Sequence, residues 1–166
     1  MKTGQQLIET YSQSGLLIDT NILLLYIVGS VRKELVPTFN RTSRFAVEDF
    51  DTLVRFLTPF HKTVTTPNIL TEVSNLLRQI SPGWERPCFE KLAGLIRVID
   101  EHYIASIVAS GMDSFGKFGL TDAAIVAMLA KDKYLVLTDD FALSQYLTKK
   151  GVDAVNFNNV RVLAWK

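Results

Sequence analysis

Apolar residues in this chain fall into two patterns. Short unbroken runs alternate with longer stretches in which apolar positions recur every three or four residues. Leu16-Leu17-Ile18 and Tyr134–Thr138 are runs of the first kind, as expected for strands covered on both faces. Lys62–Thr65 and Val152–Phe157 add a β-branched strand and a closing strand. Val47, Phe50, Leu53, Val54 and Leu57 share one face of a helix predicted over 47–60. Ile69, Leu70, Val73, Leu76 and Leu77 do so over 67–80, after a Thr66 cap and a Pro67 start. Thr20-Asn21 opens an apolar helix, Ile22–Val28, which Gly29 should close. Further helices are predicted over 85–99, 103–109 and 121–130, and from Phe141 to Lys149, where Gly151 supplies the C′ residue. Residues 30–45 read as a surface connection, 111–119 as a loop and 160–164 as an extension. This alternation predicts an α/β fold: a parallel sheet flanked by helices, in one domain spanning 1–166 with residues 1–14 as a polar lead-in.

Composition narrows the partners. The chain is 48% hydrophobic and 21% charged, which is globular rather than disordered, and its net charge of +1 offers no overall basic field for nucleic acid. Arg32, Lys33, Arg41 and Arg44 form the one local basic stretch near the first apolar helix, weighed against a solvated loop. Cys88 is the single cysteine, which excludes an internal disulfide and fits a reducing compartment. The apolar run at 22–28 is too short to span a bilayer, which takes about 20 residues. A cytoplasmic protein without a membrane segment is expected.

The acids sit in telling places. Asp19 ends the first strand, and Asp139-Asp140 end the Tyr134–Thr138 strand; in a parallel sheet these lie on one edge, where ligands gather. Asp122 opens the helix over 121–130, and Glu72 lies about a turn and a half into the helix after Pro67. Singly, each reads as well as a cap or a partner of a helix dipole. Together they form a carboxylate cluster that repels itself unless a cation neutralises it. Oxygen-only donors suit Mg²⁺ or Mn²⁺, and the two histidines, His61 and His102, give no zinc spacing.

The ordered set Leu17-Ile18-Asp19-Thr20-Asn21, Pro67-Asn68-Ile69-Leu70-Thr71-Glu72, Gly119-Leu120-Thr121-Asp122-Ala123-Ala124-Ile125 and Leu137-Thr138-Asp139-Asp140-Phe141 resembles the PIN-domain ribonuclease family, which includes VapC-type toxins. The resemblance continues to Val155-Asn156-Phe157. It implies a PIN-like α/β/α sandwich and an acidic pocket that holds Mg²⁺ or Mn²⁺ and hydrolyses RNA phosphodiester bonds. Carried over by motif, Asp19, Glu72 and Asp122 are the first three acids. The fourth is Asp140, two places after Thr138, with adjacent Asp139 as the alternative. Asp19, Asp122 and Asp140 are the implied metal ligands, and Thr20, Asn21 and Thr138 the supporting polar groups. An antitoxin protein and a homodimer are partners common to such relatives; a stand-alone nuclease is equally compatible. The competing readings are a PIN-like binding module without turnover and an α/β phosphate protein. A phosphoacceptor domain lacks its strand-end lysine here, and a dehalogenase pattern lacks its second aspartate, since Asn21 stands there.

The remaining chemistry-bearing residues read as structural. Trp84 and Phe89 are expected to pack, and Trp165 to close the bottom of the sheet. Lys149 and Lys150 suit a helix C-terminus. Cys88 has no neighbouring base to activate it.

Overall fold

Five short strands carry the molecule: β1 (Leu16–Ile18), β2 (Thr63–Thr65), β3 (Asp100–Glu101), β4 (Leu135–Thr138) and β5 (Ala154–Asn156). The computed structural model describes residues 4–164. All strand pairings are parallel, in the order β3-β2-β1-β4-β5. The central pair aligns Leu16 with Leu135, Leu17 with Val136 and Ile18 with Leu137. All six of these side chains are buried, which is why both strands read as unbroken apolar runs.

Among the described residues the helices are α1 (Gly4–Tyr11), α2 (Thr20–Val31), α3 (Val47–Leu57), α4 (Pro67–Leu77), α5 (Pro82–Ile96), α6 (Ser106–Ser110), α7 (Phe115–Leu129), α8 (Phe141–Lys149) and α9 (Phe157–Ala164). The chain steps from β1 to β2 to β3 in one direction, then crosses back to β4 and β5. Right-handed crossovers therefore put α2 to α5 on one face of the sheet and α7 and α8 on the other. This is the expected parallel α/β sandwich. The reversal lies between β1 and β4, and the crevice at their carboxyl ends is the topological switch point where open α/β sheets bind ligands.

Several elements depart from the sequence pattern. Gly29 does not end α2; the helix runs on to Val31, because Gly29 leaves room for Phe50 of α3. A Cβ at Gly29 would lie 2.2 Å from the Phe50 ring. Residues 30–45 are not a surface connection throughout: Val36, Phe39, Thr42 and Phe45 are buried, and Thr42 donates to the Val36 carbonyl at 2.8 Å. Residues 115–118 are helical, and the break falls at Gly119 alone, with φ 82° and ψ −175°, a conformation that side chains with a Cβ rarely adopt. Residues 157–164 form a helix rather than an extension.

β3 has no apolar run to announce it. It is held by pairing to β2, by the Lys62–Asp100 ion pair at 2.7 Å and by the His102 amide donating to Thr65 at 2.9 Å. Trp84 and Phe89 are partly buried beneath the guanidinium groups of Arg32 and Arg78. Cys88 is buried, and burial pushes its thiol up to about 11. Trp165 lies outside the described residues.

Candidate active site at the switch point

Asp19 leaves β1 and caps α2. Its backbone amide still belongs to the sheet, donating to Leu137 at 2.9 Å, while its Oδ1 accepts the Thr20 amide at 2.7 Å. Its Oδ2 accepts the Thr138 hydroxyl, from the neighbouring strand, at 2.5 Å. The Thr138 oxygen also accepts the Asp140 amide at 3.0 Å. One buried threonine thus fixes the first acid and the turn that carries the acidic pair.

Glu72 arrives from α4, which starts where expected: Thr66 caps it, accepting the Ile69 amide at 3.3 Å, and Pro67 occupies its first turn. The Glu72 side chain is gripped from two elements, by Thr20 at 3.0 Å and by Thr121 at 2.5 Å. Thr121 therefore bridges to α4, a role its sequence position as a helix start did not disclose. The kink at Gly119 re-aims the chain so that Thr121 and Asp122 enter this edge together.

Burial grades the acids into a bowl. Asp19 is buried at the bottom, Asp122 is half-buried, and Glu72 and Asp140 are exposed at the rim. Burial, opposed in part by the Thr138 and Thr20 hydrogen bonds and reinforced by the Asp139 and Glu72 charges, pushes Asp19 up to about 6. Burial first, and then the charges of Asp19, Asp140 and Glu72, push Asp122 up to about 7. These side chains, far apart in sequence, thus act on one another electrostatically.

The acidic pair divides. Asp140 caps α8, accepting the Leu143 amide at 2.9 Å, and faces Asp122 electrostatically. The Asp139 side chain is only 3% exposed and is taken up by Arg44, which forms an ion pair with it, and by Asn21, which donates to it at 3.1 Å. Asn158 of α9 donates to the Asp139 carbonyl at 3.0 Å.

The other expected basic residues are elsewhere. Arg32 and Lys33 lie at the far end of α2, a 12-residue helix that at 1.5 Å per residue sets them about 18 Å from Asp19. Arg32 pairs with Glu34 at 3.2 Å, Lys33 with Asp51, and Arg41 donates to Gln79 at 2.7 Å. Only Arg44 is brought to the acids. It is positioned by Arg161 of α9, which donates to the Arg44 carbonyl at 3.1 Å, to the buried Asp49 at 3.0 Å and to Asn158 at 3.1 Å. Neither Arg161 nor Asn158 carried any sequence signal of this role.

A hard divalent ion matches the chemistry of the donor set. The charged donors of the bowl are carboxylates, burial and the neighbouring charges raise the proton affinity of Asp19 and Asp122, and the Asp122 side chain makes no hydrogen bond to another described residue. As the side chains stand, no three acidic, imidazole or thiol groups among the described residues are arranged to hold one ion. Two of the acids are engaged by other groups: Glu72 is held by two threonines and Asp139 by Arg44. No protein-family model matches the chain, and comparison with curated proteins gives no match. No helix among the described residues is long and apolar enough to cross a membrane.

Proposed function

We propose that this chain is a divalent-metal-dependent endoribonuclease of the PIN type, hydrolysing RNA phosphodiester bonds at the bowl between β1 and β4. The observation that carries the reading is the gathering of Asp19, Glu72, Asp122 and Asp140 at the switch point, with two of them pushed up towards neutrality. Structural ion pairs perturb acids too, but they bring a cation to each acid; here Asp139 has Arg44 and the other four have no ion-pair partner among the described residues.

In this reading Asp19, Asp122 and Asp140 would hold Mg²⁺ or Mn²⁺, their side chains closing in from where they stand. The bound ion supplies neutralisation of the bowl and activation of water at a phosphodiester. Thr138 and the Thr20 amide fix both oxygens of Asp19, so its carboxylate is set before any ligand arrives. Glu72, oriented by Thr20 and Thr121, would steer the attacking water and accept its proton. Arg44, whose side chain is half exposed, offers its free donors to the phosphate as a substrate approaches the acids. Asp140 serves as the fourth acid rather than Asp139, whose carboxylate is engaged by Arg44 and Asn21.

The test is cleavage of structured and unstructured RNAs by purified protein with Mn²⁺, Mg²⁺ or chelator, alongside Asp19→Asn. Cleavage that needs the ion and is lost in Asp19→Asn supports the reading. Cleavage that survives both, or no cleavage of any RNA under these conditions, overturns it.

A further inference from the structure

A cavity of about 580 Å³ lies at the end of the sheet away from the acids. Its lining includes residues that precede strands: Tyr11 before β1, Tyr134 before β4, and Val152 and Asp153 before β5. The last turns of α7 and α8 close it from the side. Tyr134 lies four residues before Thr138, about 13 Å along a strand that rises about 3.3 Å per residue, so this space is distinct from the bowl. Its volume falls within the range of about 300–1,000 Å³ common to small-molecule pockets.

Val126 and Leu129 of α7 and Leu147 of α8 give it a buried apolar bed, and Tyr11, Tyr134 and Tyr146 add three rings. The Tyr11 hydroxyl donates to Asp153 at 2.8 Å, and the Tyr134 oxygen lies 3.3 Å from His102 Nε2. The Tyr146 hydroxyl makes no hydrogen bond to another described residue. The rim carries both signs of charge. The turn after α7 contributes Asp132 and Lys133, the turn after α8 contributes Lys150 and Asp153, and Asp113 adds a third carboxylate. Neither lysine forms an ion pair with a described residue. Both suit the helix C-termini they follow, which leaves their N–H donors unused.

A purely anionic ligand would meet three carboxylates here. A purely cationic one would compete with resident ammonium groups, since Lys150 already lies over the Tyr146 ring at 5.6 Å and Lys62 over the Tyr134 ring at 5.5 Å. A ligand with both charges and a flat apolar body matches the whole lining. We propose that this cavity binds a free aromatic amino acid, its carboxylate on Lys133 and Lys150, its ammonium on Asp132 and its ring among the three tyrosines. Ring-on-ring packing adds to the area that the ligand buries on the leucines. The inference is independent of the ribonuclease reading, because no acid of the bowl takes part.

Titration calorimetry on the full-length protein tests this with L-phenylalanine, L-tyrosine and L-tryptophan. The N-acetyl form of the tightest binder lacks the ammonium charge, and its amide lacks the carboxylate. One molecule is expected to bind per chain, and each blocked form to bind about 10- to 150-fold more weakly, the range that one lost charge-assisted hydrogen bond covers. The double variant Lys133→Gln, Lys150→Gln should weaken the free amino acid by a similar factor and leave the amide no weaker, since the amide has no carboxylate to lose. Both lysines are exposed, so the melting temperature of the ligand-free variant should not move. No binding of any of the three at millimolar concentration overturns the proposal. So does a blocked form that binds as tightly as the free amino acid, or a double variant that binds the free amino acid unchanged.

Discussion

Thr138 and Asp19 are joined across neighbouring parallel strands by a hydrogen bond of 2.5 Å, and both are buried. The hydroxyl has a second use, as acceptor for the Asp140 amide. Thr138→Val keeps shape and removes both bonds, leaving Asp19 one donor short. We expect a loss of about 1–3 kcal/mol, the penalty for a buried polar group deprived of its partner. The loss should be larger at pH 8, where Asp19 is ionised, than at pH 5. Thr138→Ser should restore most of it. Denaturant titrations at the two pH values measure this directly.

Ion-free protein should lose stability as pH rises. Asp19 and Asp122 go from an ordinary 3.8 to about 6 and about 7 in the fold. Between pH 4 and 7 the native chain therefore keeps protons that the unfolded chain has released. Their contribution is full below pH 4 and is lost by the time pH passes 7. The melting temperature in chelator is expected to fall by at least about 5 °C from pH 5 to pH 8. Asp122→Asn should flatten that slope. Mg²⁺ or Mn²⁺ should raise the melting temperature more at pH 8 than at pH 5, because the ion competes with protons for the same oxygens. A melting temperature that climbs over this range would contradict the bowl as described.

Arg44 and Asp139 form an unequal pair, one half exposed and the other almost wholly buried. Removing the cation strands a buried charge, with Asn21 as its remaining side-chain partner. Arg44→Ala is therefore expected to be more damaging than Asp139→Asn. The double variant should be more stable than Arg44→Ala alone. Thermal unfolding of the four proteins closes this cycle.

Gly29 lets α2 and α3 approach to the distance that Phe50 requires. Gly29→Ala puts a methyl group into the ring and should cost about 1–3 kcal/mol, despite the better helix propensity of alanine. Adding Phe50→Leu should recover part of the loss. A stabilised Gly29→Ala would mean that α3 can shift freely.

What the sequence makes legible here is whatever repeats or caps. Strands β1 and β4, the Thr66-Pro67 helix start and the alignment of Asp19 with the acidic pair follow from runs and caps that are local in the chain. Asp139 and Asp140 could not be told apart from local pattern, because the difference lies in Arg44, 95 positions away, and in which carboxylate a helix needs as its cap. Two acidic residues gave no pattern for β3, whose pairing depends on its neighbours. Gly29 looked like a stop because glycine commonly ends helices; its use is to admit a ring from another helix. The segment 30–45 looked like a surface connection for its polar residues, whereas four spaced side chains anchor it from beneath.

Arg161 joins the final helix to Asp49, to the Arg44 carbonyl and, through Asn158, to Asp139. This helix is thus a buckle that fastens Arg44 beside the acids. A proteolytic cut between Asn156 and Phe157 would leave every sheet strand intact and still unfasten the guanidinium beside the acids.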